Sequence, residues 1–265
     1  MREFNFHRPA TVAEAVALVK GAPEGKYLGG GQSLLPVLKL EMAEPSDLVS
    51  LARISDLRGI RVEPGKVLIG ASTTHADVAA SPEVRKAIPG LARLADGIGD
   101  PQVRNRGTIG GSVAHADPAA DYPAALLALG ATIKTDRRTI AADDFFTGLF
   151  ETALAEGELI LAVHFPVPER SAYVKFASHA SKYALTGVMV ARSAAGVRVA
   201  VTGAGPKAFR EFTMEQALGV RFTPEALEGI TVSPDELLTD SEASAEYRAH
   251  LIGVMARRAV AAALG

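Results

Sequence analysis

The sequence predicts an α+β protein in two parts, divided at Pro166-Val167-Pro168. Three observations carry that prediction. A proline pair stops the buried apolar strand at residues 159–165. Beyond it, strand patterns follow one another at residues 172–177, 188–192 and 197–202, with Ala195-Gly196 turning between the last two, which is the signature of antiparallel sheet. Before it, helical and strand patterns are interspersed, and helices close the chain, the clearest over residues 245–264.

The elements follow in order. The N-terminal stretch MREFNFHRPATVAEAV is amphipathic, and no apolar core of a secretory leader follows it. Pro9 and Thr11 precede an apolar rhythm at Val12, Ala15, Val16 and Val19 that Gly21 ends, so a first helix is expected there. Tyr27-Leu28 is a short apolar step into Gly29-Gly30-Gly31. A second helix is expected with Leu34, Leu35, Leu38 and Met42 on one face and Pro45 closing it. Residues 48–51 read as a strand, and residues 60–69 as a hairpin about Pro64-Gly65. Helical patterns follow at residues 74–80 and 82–95. The stretch 97–121, with five glycines at positions 97, 99, 107, 110 and 111, reads as a long irregular loop of the kind that carries function. Residues 124–129 read as a short helix.

Composition narrows the function classes. With 28 basic against 30 acidic residues there is no broad electrostatic footprint for nucleic acid. Hydrophobic residues make up 48% of the chain, enough to bury a core, yet apolar runs such as 124–129 and 187–191 fall far short of the ~20 residues of a membrane span. A cytoplasmic protein is expected. Cysteine is absent, which excludes disulfides, thiol catalysis, thiolate zinc sites and any iron–sulfur cluster ligated by this chain's cysteines.

The strongest candidate features are two glycine clusters, Gly29-Gly30-Gly31-Gln32-Ser33 and Thr108-Ile109-Gly110-Gly111-Ser112. Glycine lets backbone N–H groups approach an anion closely, so each cluster is expected to form an anion nest. The helix after the first cluster would aim its N-terminus at the same anion. Two nests suit a pyrophosphate held between two loops. Neither G-x-G-x-x-G nor G-x-x-x-x-G-K-[ST] occurs, so neither a Rossmann fingerprint nor a P-loop accounts for the glycines.

The segment K-Y-L-G-G-G-Q-S-L at 26–34 resembles the first flavin loop of the FAD-binding medium subunits of molybdenum hydroxylases, the family of carbon monoxide dehydrogenase and xanthine dehydrogenase. I-G-D-P-Q-V-R-N-R-G-T-I-G-G-S at 98–112, continuing A-H-A-D-P-A-A-D-Y-P, is a longer match to the same family. Further matches lie at 141–148, 157–161, 173–176 and 244–248, so the resemblance spans nearly the whole chain.

The resemblance implies a PCMH-type FAD-binding domain over residues 1–168, with lobes at about 1–57 and 58–168. A C-terminal domain of antiparallel sheet and helices would occupy 169–265. Lys26, Tyr27, Leu28, Gly29, Gly30, Gly31, Gln32, Ser33 and Leu34 would wrap the pyrophosphate and adjoining flavin. Thr108, Ile109, Gly110, Gly111 and Ser112 would form the second clamp. Asp121 would meet the adenosine ribose with His115 on the same loop, Ile98 the adenine, and Ile160, Lys182 and Tyr183 the isoalloxazine. No side chain need act as catalytic acid or base. The implied partners are a large molybdopterin subunit and a small [2Fe–2S] subunit, in a heterotrimer or its dimer, with electrons leaving to an external acceptor.

Three rival readings accompany this one. His75-x-Asp77 and His115-x-Asp117 with Asp121 could hold a metal, as in a hydrolase. The chain could be a self-contained FAD oxidoreductase, or a flavin-free binding module of the same fold.

Overall fold

The computed structural model describes residues 2–265. The first lobe is β1 (Asn5–His7), α1 (Val12–Gly21), β2 (Gly25–Leu28), α2 (Leu34–Lys39) and β3 (Asp47–Ser50). Its sheet has the order β1-β3-β2 and is wholly parallel. The Thr11 hydroxyl caps α1 by accepting from the Glu14 amide, and Ala15 and Val19 bury its inner face against Val49, Leu51 and Ile54. Helix α2 ends at Lys39, so Met42 lies outside it and is 73% exposed. β1 was not legible in the sequence. It is three residues long, too short for alternation to register.

The second lobe opens on the expected hairpin, β4 (Ile60–Glu63) and β5 (Lys66–Gly70), with Gly65 at φ +75° in its turn. Helices α3 (His75–Ala80), α4 (Pro82–Ala87) and α5 (Pro89–Asp96) follow. The single pattern over 82–95 is thus two helices. Pro89 has no N–H to continue the first, and it starts the second at a position where proline is favoured.

The stretch read as an irregular loop holds two more helices, α6 (Pro101–Arg106) and α7 (Ile109–His115). Asp100 caps the first and Thr108 the second, each by a side-chain oxygen accepting a backbone N–H. α8 (Tyr122–Leu129), β6 (Thr132–Thr135), β7 (Thr139–Ala141), the small hairpin β8 (Phe146–Gly148) and β9 (Glu151–Thr152), and β10 (Ile160–Pro166) complete the lobe. Its main sheet is antiparallel, in the order β4-β5-β10-β6-β7.

The remainder is the expected antiparallel meander, β11 (Arg170–Ala177), β12 (Ala184–Ser193), β13 (Gly196–Thr202) and β14 (Phe209–Arg210), with α9 (Phe212–Val220) and α10 (Ala245–Leu264). Every residue of α8 is buried, which is why its sequence is apolar all round. It lies between the two antiparallel sheets, and its core is continuous with Tyr173, Met189, Ala191 and Ala200 of the second one. Opposite, α10 lays Ile252, Met255, Ala259 and Val260 on Val188, Val190 and Val199. Among the described residues no helix is long and apolar enough to cross a membrane.

Candidate functional site

The three sheets meet at a cleft of about 630 Å³. That is within the ~300–1,000 Å³ of small-molecule and cofactor sites. The first lobe contributes Lys26, Tyr27 and residues 29–34. Ile98, Thr108, Gly110, Gly111, Ser112, His115, Asp121 and Ile160 come from the second lobe, and Lys182 and Tyr183 from the turn between β11 and β12. Two of the expected residues do not line it. Ile109 is fully buried in the core of the second lobe. Leu28 ends β2, and its methyl lies 3.3 Å from where a Cβ on Gly31 would stand.

The glycines of the first cluster exist for close approach. A Cβ on Gly30 would lie 2.2 Å from the Arg106 carbonyl oxygen and 2.6 Å from the Gly107 Cα. One on Gly29 would lie 3.0 Å from the Thr108 hydroxyl. The first glycine loop therefore packs tightly on residues 106–108, where the chain enters the second cluster. Gly31 takes φ +75°, a left-handed turn that glycine adopts freely. Among the described residues, the amides of residues 30–33 have no acceptor within the chain, although those residues line the cleft. Free amides of this kind are what an anion nest requires. α2 behind them has only six residues, so the available donors are those of the loop rather than of a helix terminus.

The second cluster departs from expectation. Its amides beyond Thr108 are already spent: Ile109 donates to the Thr73 carbonyl at 3.1 Å, Gly110 to that of Ala71 at 2.8 Å, and Ser112 to that of Thr108 at 3.0 Å. Gly111 donates to the Thr108 hydroxyl at 3.2 Å. Among residues 108–112 only the Thr108 amide has no acceptor within the chain, so this cluster lacks the run of free donors found in the first one. A Cβ on Gly110 would fall 2.5 Å from the Ala71 Cβ, inside the protein.

Asp121 is 4% exposed, and both its oxygens are held by the C-terminal sheet. The Tyr173 hydroxyl donates to Oδ1, and Lys175 Nζ donates to Oδ2 at 3.1 Å. Burial pushes the carboxyl above the usual carboxylate range, against the pull of Lys175 and Tyr173. The same ammonium donates to the Lys182 carbonyl at 2.8 Å, tying Asp121 to the turn that carries Tyr183. Tyr183 is 43% exposed at the rim. Burial and the Asp117 carboxylate push its phenol up, while a hydrogen bond with Ser33 of the first glycine loop pulls it down. Lys175 and Tyr173 were missed in the sequence because only the register of β11 brings them under a carboxylate some fifty residues earlier.

Glu158 also lines the cleft but is consumed structurally. It accepts from Arg138 Nε at 3.0 Å, from the Thr135 hydroxyl at 2.7 Å and from the Ala155 amide at 2.8 Å. The Arg138 guanidinium foremost holds its carboxyl down to about 2, against an ordinary 4.5. A depressed folded-state value adds stability above the ordinary one, and that stability is lost as pH falls toward 2. Glu158→Gln should lower stability by about 1.5–3 kcal/mol at neutral pH. Its deficit relative to wild type should shrink between pH 4.5 and 2 in thermal melts, and a constant deficit would contradict the pairing.

The metal reading loses its geometry. His75 is buried while Asp77 is exposed, and the cap of α3 is Thr74, whose hydroxyl accepts from the Asp77 amide. Among the described residues, no three histidine, aspartate or glutamate side chains converge on a point.

A parallel lobe and an antiparallel lobe sharing a glycine-walled cleft, closed by a third sheet, define a two-lobed cofactor-binding protein. Residues 2–168 match the family of the FAD binding domain in molybdopterin dehydrogenase. The chain is 39% identical to the carbon monoxide dehydrogenase medium chain of Hydrogenophaga pseudoflava, over 98% of this chain and 96% of that one. It is 37% identical to the nicotine 6-hydroxylase medium subunit of Paenarthrobacter nicotinovorans, over 96% and 95% of the two chains. Among solved structures, a chain of Hydrogenophaga pseudoflava carbon monoxide dehydrogenase superposes with TM-score 0.90 at 38% identity, covering 99% of this chain and 98% of that one. One of quinoline 2-oxidoreductase from Pseudomonas putida 86 does so with TM-score 0.89 at 29% identity, covering 99% and 97%. The chain belongs to this family, the FAD-binding medium subunits of molybdenum hydroxylase-type dehydrogenases, and is an oxidoreductase component.

Proposed function

We propose that the chain holds FAD in the cleft and transfers electrons from [2Fe–2S] clusters on a small partner subunit to an external acceptor. A large molybdopterin subunit would act on the substrate. The observation that carries this reading is the close packing of the first glycine loop on the entry to the second cluster, with the free amides of residues 30–33 beside the Ser33 hydroxyl. That donor set fits a pyrophosphate. When bound, FAD supplies the redox chemistry, and the protein supplies binding and orientation.

In this reading residues 26–34 hold the pyrophosphate and the adjoining flavin, and residues 108–112 wall the opposite side. Asp121 accepts from a ribose hydroxyl with the lone pairs that Tyr173 and Lys175 leave. Ile98 packs on the adenine and Ile160 on the flavin ring, while Lys182 and Tyr183 close over the isoalloxazine. The domain division at residue 168 follows the change of sheet between β10 and β11. The absence of cysteine from these 265 residues supports cluster ligands lying on a partner.

Titration of the apo chain should show FAD binding more tightly than FMN, and equal affinities would remove the pyrophosphate from the cleft. The FAD-loaded chain alone should leave a purine, an aldehyde or carbon monoxide unoxidised. Adding the iron–sulfur and molybdenum partners should restore anaerobic flavin bleaching by the complex's substrate. Substrate oxidation by the isolated chain would favour a self-contained oxidoreductase instead.

A further inference from the structure

One buried ammonium joins two parts of the cleft that lie far apart in sequence. Lys175 follows Tyr173 by two residues on β11, so both side chains stand on one face of the strand and reach the same carboxylate. Only 11% of the Lys175 side chain is exposed, and its Nζ lies 3.0 Å from Asp121 Oδ1 and 3.1 Å from Oδ2. The same nitrogen donates to the Lys182 carbonyl at 2.8 Å. An ammonium has three donors and no acceptor, so one group can hold carboxylate and carbonyl together. Lys182 itself stands at φ +64°, a left-handed backbone that lysine adopts rarely. The turn is closed from within by the Lys182 amide on the Ser178 carbonyl at 3.1 Å and the Ser178 amide on the Tyr183 carbonyl at 2.9 Å. A second tie to the Asp121 segment is the Ala184 amide, which donates to the Ala119 carbonyl at 3.3 Å, longer than is usual.

We propose that Lys175 is a positioning residue that links the two halves of the site, so that filling the nucleotide half at Asp121 steadies the turn that carries Tyr183. This rests on the reading that the cleft holds FAD with its ribose at Asp121. A hydroxyl donating to Asp121 fixes the carboxylate, the carboxylate fixes the ammonium, and the ammonium fixes the Lys182 carbonyl. Each bond in that series has a charged partner and is stronger than a neutral one. Coupling of this kind is reciprocal, so a steadied turn in return favours the nucleotide. The order it creates is read as protection of amides rather than as a change of fold.

The test is hydrogen–deuterium exchange over residues 178–184 of the apo protein, with and without ADP at saturation. ADP carries the adenosine and both phosphates but no flavin to touch Tyr183. In wild type it should slow exchange of the Lys182, Tyr183 and Ala184 amides several-fold. Lys175→Met, which keeps the stem and removes the charge, should still bind ADP but lose the slowing. Lys175→Ala cuts the same tie a second way, and Lys175→Arg should restore part of the effect. A lysine that merely props up the sheet would speed exchange in both states and leave their ratio unchanged. An unchanged ratio in Lys175→Met or Lys175→Ala therefore overturns the proposal and assigns the coupling to the Ala184–Ala119 bond. Loss of ADP binding in both would overturn it too, by making the lysine part of the nucleotide's own hold. A wild type that binds ADP with no slowing overturns it without any variant, and so does one that binds FAD but not ADP. A wild type that binds neither overturns instead the function on which the proposal rests.

Discussion

Gly30→Ala should lose FAD affinity by at least about a hundredfold, roughly 2.7 kcal/mol, while melting within a few degrees of wild type. The added carbon would stand 2.2 Å from one backbone atom and 2.6 Å from another, and neither can rotate aside. The two loops must then part by the better part of an ångström. The proposed pyrophosphate donors of residues 30–33 would move with their loop and lose alignment with the opposite wall. Affinity falls because a site must be held to about half an ångström to keep its geometry. The fold survives because the first loop lies half-buried at the cleft and can give way outward from Arg106 and Gly107. Wild-type affinity, measured by flavin fluorescence, would show that the loops can separate without consequence.

Gly110→Val should fail differently. The second cluster was expected to approach phosphate, in which case valine would empty the site and spare the fold. The contacts reverse that expectation. The new Cβ would lie 2.5 Å from the Ala71 Cβ and 2.7 Å from its carbonyl oxygen, the acceptor of the Gly110 amide. Overpacking of this kind costs about 1–3 kcal/mol, and strain on the hydrogen bond adds to it. A large drop in melting temperature and poor soluble yield are expected, with flavin loss following unfolding. A soluble variant that melts like wild type yet is devoid of flavin would restore the original reading.

These two glycines mark how far the sequence could be read. Both stood out as clusters that no ordinary phosphate motif explains, and both lie at the cleft. Which neighbour each one must approach depends on pairing between distant segments, and composition holds no trace of that. The same limit explains the helices hidden in residues 97–121. With proline at the start of one and glycine ending it, six- and seven-residue helices are too short for an apolar period to emerge. Where a signal was local and strong it held, as in the Pro64-Gly65 hairpin and the twenty-residue α10 capped by Ser244. His75 was visible only as half of a weak metal pattern. Its isolation from Asp77 comes from a helical turn that puts one inside and the other outside.

The wall of the cleft that bears Asp121 is completed from far downstream. The Thr202 hydroxyl donates to the carbonyls of Pro118 and Ala120, the Gly203 amide to that of Pro118, and Lys175 and Tyr173 grip Asp121 itself. During synthesis the glycine loops emerge long before β11 and β13 exist. A nascent chain halted after residue 168 thus has the free amides of residues 30–33 but an unanchored Asp121. With Asp121 on the ribose as proposed, flavin capture should be a late event in the life of the polypeptide, following translation of the meander rather than guiding the folding of the lobes that come first. Ribosome-stalled chains should acquire FAD only once the stretch through residue 203 has cleared the exit tunnel.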